Sequence, residues 1–114
     1  MTTSLNQQLG RFLELACQAQ SIDRISEGRD GILEMDREFV LQEIEREAKK
    51  VLNLEDEWEY RRLLEVYDLL NEELKKSLIK EGMKSGNPEV VEAANDFNHK
   101  LEQGGLRNRD KRDS

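Results

Sequence analysis

Neither glycine nor proline occurs between Glu55 and Glu81, and this stretch constrains the fold more than any other. Leucine, isoleucine and valine recur through it at three- and four-residue intervals, the spacing of one side of an α-helix. A single helix over residues 55–81 would be about 40 Å long, given the rise per residue of an α-helix. The other elements of a 114-residue chain must then pack around it.

The composition favours an all-α fold. Alanine, glutamate, lysine, leucine and arginine together make about half of the chain, and aromatic residues make only 5%. We therefore predict a small bundle of about four helices with a long, central third helix. The expected helices cover approximately residues 3–20, 33–52, 55–81 and 87–102, and either Thr3 or Ser4 can cap the first of them.

Two segments between the predicted helices contain turn signals. Gly28 and Gly31 enclose Arg29 and Asp30, so residues 21–31 are interpreted as a loop with at most one short helical turn. The sequence Asn-Pro-Glu at residues 87–89 combines a capping residue, a proline at the first helical position and an acidic first turn. It predicts the start of the last helix.

The chain ends in a polar, charged stretch that follows two consecutive glycines, Gly104 and Gly105. This composition predicts a disordered tail. We expect a single helical domain over residues 1–103 and a flexible charged tail over residues 104–114.

The charge of the chain excludes some classes of partner. The net charge is −7, and residues 34–73 alone carry 14 acidic and 6 basic side chains. Such a surface repels nucleic acids and anionic membranes, which bind through lysine and arginine. No apolar run approaches the ~18 residues of a membrane span. Cys17 has no second cysteine to pair with, so we expect a cytoplasmic protein.

Few residues suggest catalysis or metal binding. Asp96 and His99 are three apart on a predicted helix, a spacing that occurs in metal sites of helical bundles, but the chain has no second histidine. Cys17 borders an apolar helix face, where a buried thiol is common and a nucleophile is rare. We therefore predict no cofactor and no enzymatic activity.

An acidic patch around the lone tryptophan is the best candidate for a binding surface. Glu55, Glu57, Trp58, Arg61 and Arg62 fall at the start of the predicted third helix. Tryptophan and arginine are the residues most enriched at the energetic centres of protein interfaces. The predicted function is a protein-binding or regulatory module whose partner has a basic, partly apolar surface.

Two alternatives remain open. The predicted third helix is apolar over a wide arc between Leu63 and Leu70, which a homodimer contact would also explain. The second alternative is a metal-binding helical protein that uses Asp96 and His99.

Part of the chain resembles two known helical families. Residues 70–101, with Leu74, Leu78, Ile79 and the run from Asn87 to Val91, resemble one hairpin of a HEAT-type repeat, which would imply a protein-binding scaffold. The sequence contains one copy. Pro-Glu-Val at residues 88–90 is also similar to the small helical-hairpin phosphatases of the sporulation response regulator of bacilli. Their Ser-Gln-Glu-Leu-Asp motif is replaced by Ala-Asn-Asp-Phe-Asn at residues 94–98.

Overall fold

The computed structural model describes residues 4–104, with side chains for residues 4–98. Over these residues the chain forms six helices and no strand, so the predicted all-α class is confirmed and the predicted number of four helices is wrong. The helices are α1 (Leu5–Gln18), α2 (Ile22–Glu34), α3 (Arg37–Val51), α4 (Glu57–Leu70), α5 (Glu72–Met83) and α6 (Pro88–Gly104).

Residues 22–31 are helical and Ser21 is the cap residue before them, so the predicted loop over residues 21–31 is wrong. Gly28 and Gly31 are not turn residues; they lie inside α2 where it packs on α1. A Cβ at Gly28 would be 2.5 Å from both the backbone nitrogen of Ala16 and the backbone oxygen of Phe12. The two glycines therefore permit the close approach of two helices.

The predicted long helix over residues 55–81 is also wrong, because Asn71 divides it into α4 and α5. Asn71 is extended, with φ −166° and ψ 128°. Its N–H donates to the carbonyl of Tyr67 at 2.9 Å and closes α4. Its side-chain oxygen accepts from the N–H of Leu74 at 3.0 Å and caps α5. An asparagine side chain that bonds the backbone locally competes with helix continuation.

The inner helices are α1 and α4. Helix α1 packs on α2, α3 and α4, whereas α4 packs on α1, α5 and α6. Most of the apolar arc of α4 is covered within the chain, because these neighbours bury six of its residues: Tyr60, Leu63, Leu64, Val66, Tyr67 and Leu70. Leu69 is the exception, since it is 54% exposed. Most of the arc that suggested a homodimer thus has an explanation inside one chain.

The structure confirms two predicted helix starts. Ser4 caps α1 and forms a reciprocal capping box with Gln7. Before α6, the side-chain oxygen of Asn87 accepts from the N–H of Glu89 at 2.9 Å. The side chain of His99 and the predicted tail beyond Gly104 lie outside the described residues. No helix in residues 4–104 is both long and apolar enough to cross a membrane.

The core buries three weakly acidic side chains. Burial raises the pKa of the Cys17 thiol to about 12, with a further contribution from the charge of Glu59. Burial likewise raises the pKa values of Tyr60 and Tyr67 above their ordinary range. Tyr60 also donates a hydrogen bond of 2.8 Å to the carbonyl of Leu78 and so ties α4 to α5.

We expect Gly28→Ala to destabilise the fold by about 1–3 kcal/mol, because the added methyl group overlaps backbone atoms that cannot move independently. Gly86→Ala is the matched control, since a Cβ there has no heavy atom within 4 Å. Urea unfolding followed by circular dichroism measures both. Equal stability of the two variants would contradict the close packing of α1 and α2.

We expect the free energy of unfolding to fall as the pH rises above 9. The unfolded Cys17 thiol ionises near 9.0, whereas the folded thiol stays protonated to about pH 12, so the unfolded state loses its proton first. One such group changes stability by about 1.4 kcal/mol per pH unit between its two pKa values. Urea unfolding at pH 9–11 under reducing conditions should show a shallower fall for Cys17→Ala. An unchanged slope would show that the thiol is not protected.

Candidate protein-interaction surface

Trp58 is half exposed in the first turn of α4. The carboxylate of Asp56 caps this turn and accepts from the N–H groups of Trp58 and Glu59 at 2.9 and 3.1 Å. The indole remains 50% exposed, although tryptophan is highly buried on average. The Arg62 guanidinium stacks on it, with its Cζ atom 4.3 Å from the ring centroid.

A chain of charged groups holds Arg62 in this position. Arg62 Nη1 donates to Glu65 Oε1 at 3.0 Å, and the same oxygen accepts from Arg29 Nη2 of α2. Arg29 Nε is buried and has no hydrogen-bond partner among the described residues. Glu65 holds the guanidinium of Arg29 through Nη2, and a continuous series of contacts runs from α2 to Trp58.

Arg61 points to α6 and not towards the indole. Its Nε donates to Glu57 Oε2 at 2.7 Å, and its Nη2 lies 3.4 Å from Asp96 Oδ2. The hydrogen bond to Glu57 is the main cause of the raised pKa of Arg61. Asp96, predicted as a possible metal ligand, is thus an ion-pair partner of an arginine.

Glu55 has a structural role outside the helix. Its Oε1 accepts from the hydroxyl of Ser85 at 2.6 Å, and its carbonyl accepts from Asn87 Nδ2 at 2.8 Å. These bonds join the turn before α4 to the turn before α6. The structure therefore brings Trp58 and Arg62 together, and places Arg61 with Glu57 beside them and Glu55 apart.

The Arg29–Glu65 ion pair joins two rows of side chains, one on α2 and one on α4. Residues three or four positions apart lie on the same side of a helix. Each row therefore consists of the residues at this spacing from Arg29 on α2 or from Glu65 on α4. The α2 row is Ile22, Ser26, Arg29 and Leu33, and the α4 row is Trp58, Arg62, Glu65 and Leu69. We call these eight residues the α2–α4 surface.

The exposed apolar members of this surface lie at its two ends. Ile22, Leu33 and Leu69 are 74%, 46% and 54% exposed. Beyond the Arg29–Glu65 pair, Arg37 Nη2 at the start of α3 donates to the carbonyl of Leu70 at 2.8 Å, so the chain that follows α2 lies near the C-terminal end of α4. Leu33 therefore lies towards the Leu69 end and Ile22 towards the Trp58 end.

Sequence reasoning missed the α2 half of this surface because residues 21–31 were interpreted as a loop. A usable signal was present. Ile22, Ile25, Ile32 and Leu33 follow helical spacing, and the two glycines lie on the same side as the buried isoleucines.

The described residues offer little for metal binding or nucleophilic chemistry. No group of three or more histidine, cysteine, aspartate or glutamate side chains in this part of the chain is placed to hold a metal ion. Cys17 is fully buried, and its raised pKa keeps the thiol protonated at neutral pH. The absence of enzymatic activity remains a prediction.

Two clefts lie outside the α2–α4 surface. One of about 310 Å³ is lined by apolar side chains that include Leu5, Phe12 and Phe39. The other, of about 630 Å³, is mainly polar and contains Glu47, whose carboxylate accepts from Asn6 Nδ2 and Lys50 Nζ at 3.1 and 3.3 Å. Both Glu47 contacts have a structural role, because they join α1 to α3 and one turn of α3 to the next.

Comparison of the chain with protein-family models, curated proteins and solved structures finds no match. The resemblances to HEAT-type repeats and to the response-regulator phosphatases gain no support from it. What the chain binds is therefore inferred from the chemistry of its surface.

We expect Glu65→Gln to loosen Trp58, because it removes the charge that holds Arg62 against the indole. Trp58 is the only tryptophan, so its fluorescence anisotropy reports this position directly. The anisotropy should fall in Glu65→Gln and stay unchanged in Glu57→Gln, which affects Arg61 instead. Equal values in all three proteins would show that the ion pairs do not order the indole.

Proposed function

We propose that this chain is a non-catalytic protein-binding module and that the α2–α4 surface is its binding site. The observation that carries the proposal is Trp58, an indole that is half exposed and yet stacked on a guanidinium fixed by Glu65. Tryptophan and arginine are the commonest residues at the energetic centres of protein interfaces. The exposed Ile22, Leu33 and Leu69 add apolar area around this centre.

The order of this surface supports a binding role. Side chains that are immobilised on association lose conformational entropy, which weakens binding. Trp58 and Arg62 already contact each other in the free chain, and Arg29 is already fixed across the two helices. A partner would therefore meet a surface that needs little ordering.

The predicted patch around Trp58 carries little unpaired charge. Ion pairs neutralise much of the predicted patch, because Arg61 pairs with Glu57 and Asp96 and Arg62 pairs with Glu65. The proposal of a basic partner rests instead on the net charge of −7. We also propose a cytoplasmic location, since the single cysteine cannot form a disulfide within the chain.

Self-association through the same surface is the competing proposal, because Leu69 and Trp58 could contact their counterparts in a second copy. Sedimentation equilibrium over a hundredfold range of about 1–100 μM distinguishes the two, since a dimer dissociates by mass action on dilution. A constant monomeric mass favours a different protein as partner, whereas a concentration-dependent dimer lost in Leu69→Ala favours the homodimer.

We expect Trp58→Ala to reduce capture of the partner by about tenfold or more, because truncation at an interface centre costs ~2 kcal/mol or more. The tagged chain is incubated with lysate from its native host, and captured proteins are quantified by mass spectrometry. Leu5→Ala is the control, since Leu5 is similarly exposed, at 51%, but lies outside the α2–α4 surface. A protein retained equally by all three chains would contradict the proposed binding site.

A further inference from the structure

A row of four carboxylates runs the length of α2 beside the α2–α4 surface. Asp23, Glu27, Asp30 and Glu34 are each one turn apart and all exposed. They lie opposite the side of the helix that Ile25, Gly28 and Ile32 bury against the core. None of the four forms an ion pair with another described side chain. We call these four residues the acidic row.

Except for Asp23, whose place in the first turn suits the helix dipole, the acidic row opposes the stability of its own helix. Like charges three or four residues apart repel each other on a helix. Glu34 lies in the last turn, where the helix dipole disfavours an anion, and α2 has no basic residue there. Ser21, at the cap position, makes no capping hydrogen bond through its side chain. Helix α2 therefore depends on its packing against α1.

Other helices of this chain pair their acidic residues locally. Glu43 pairs with Arg46, Glu57 with Arg61, and Glu73 with Lys76. Each of these pairs places a basic residue one turn after an acidic one. The basic residues of α2 are Arg24 and Arg29, and Arg29 is engaged by Glu65 of α4. The acidic row thus keeps its full charge towards solvent.

Exposed apolar side chains lie in the adjacent row of the same helix. Ile22 and Leu33 are one position before Asp23 and Glu34, and they belong to the α2–α4 surface. The distance from Ile22 to Leu33 along the helix axis is about 16 Å, or three turns. A complementary partner must offer apolar groups and positive charges side by side over that length.

An amphipathic helix with a basic flank has this arrangement. Its apolar side repeats at every turn, and long lysine or arginine side chains at the edge of that side can reach carboxylates while their methylene groups cover apolar surface. Nucleic acid lacks the positive charge, and an extended peptide does not repeat at the spacing of helical turns.

We propose that the partner contributes a basic amphipathic helix that lies along α2, with its apolar side on Ile22, Leu33, Trp58 and Leu69 and its basic flank on the acidic row. This inference rests on the proposed binding function and names the chemistry of the occupant. The complementarity of charge selects this occupant over a second copy of the chain, which would place one acidic row near another.

The probe for this inference is a synthetic peptide of about 18 residues, enough for about five helical turns. It carries leucine on one side and lysine on the other, and no tryptophan, so that the fluorescence of Trp58 reports binding. One comparison peptide has glutamate in place of lysine. The other has the same composition as the probe in an order that forms no apolar side.

The matched protein variants differ in where charge is removed. In the first, the acidic row is neutralised by Asp23→Asn, Glu27→Gln, Asp30→Asn and Glu34→Gln. In the second, four exposed carboxylates on other helices are neutralised by Glu14→Gln, Glu38→Gln, Glu89→Gln and Glu92→Gln. Both variants have the same net charge, and the first loses repulsion within α2, so it should remain folded.

We expect the lysine peptide to bind the first variant about tenfold more weakly than the unmodified chain, because four exposed charge contacts are lost together. It should bind the second variant about as tightly as the unmodified chain. The glutamate and rearranged peptides should bind at least tenfold more weakly. Equal weakening in both variants would show that only net charge matters and would overturn the inference. Equal binding of the rearranged peptide would overturn the helical form of the occupant.

Capture from lysate separates this inference from the proposed function. If the captured protein is lost in Trp58→Ala and retained when the acidic row is neutralised, the binding function stands and the basic helix is excluded. If capture is insensitive to Trp58, the binding site itself is wrong. Both proposals are supported if capture is lost in Trp58→Ala and in the variant with a neutralised acidic row, and is retained in the variant that changes Glu14, Glu38, Glu89 and Glu92.

Discussion

The contact between α1 and α2 at Gly28 is the constraint on which the proposed binding surface depends. Helix α2 has unfavourable charges and a weak N-terminal cap, so its packing on α1 must hold it in place. Only a residue without a side chain allows the backbones to come this close. The same contact sets the rotation of α2, which directs Arg29 to Glu65 and leaves the four carboxylates facing solvent.

Charged residues have two different uses in this chain. On α4 they fix geometry: Glu65 joins Arg29 to Arg62, and Arg62 orders Trp58. On the outer side of α2 no such pairing occurs with the side chains of residues 4–98, and the charge is available to another molecule. Pairs exposed to solvent contribute little stability, so the ordering of Trp58 is the more significant effect of the first group. The surface therefore places an ordered aromatic side chain beside four carboxylates that pair with no described side chain.

The sequence predicts the helical class and the helix starts at Ser4 and Asn87, because those depend on local chemistry that one segment contains. The predictions for Asn71 and Gly28 fail for opposite reasons. A local capping bond at Asn71 interrupts a periodic pattern that continues through it. At Gly28 a contact with a distant helix overrides a local turn signal. The predicted patch contains Trp58 and Arg62, which the structure brings together, whereas the role of Glu55 depends on Ser85 and Asn87, which are 30 and 32 residues away.

Asn71 also determines how the α5–α6 hairpin is connected to α4. Because one residue ends α4 and caps α5, the joint between these helices has no spare length. The orientation of the α5–α6 hairpin is therefore set by the two backbone dihedrals of a single asparagine, and the bond from Tyr60 to Leu78 locks it. An insertion at this joint would change the direction of both α5 and α6 relative to α4, because no intervening residue separates the end of one helix from the cap of the next.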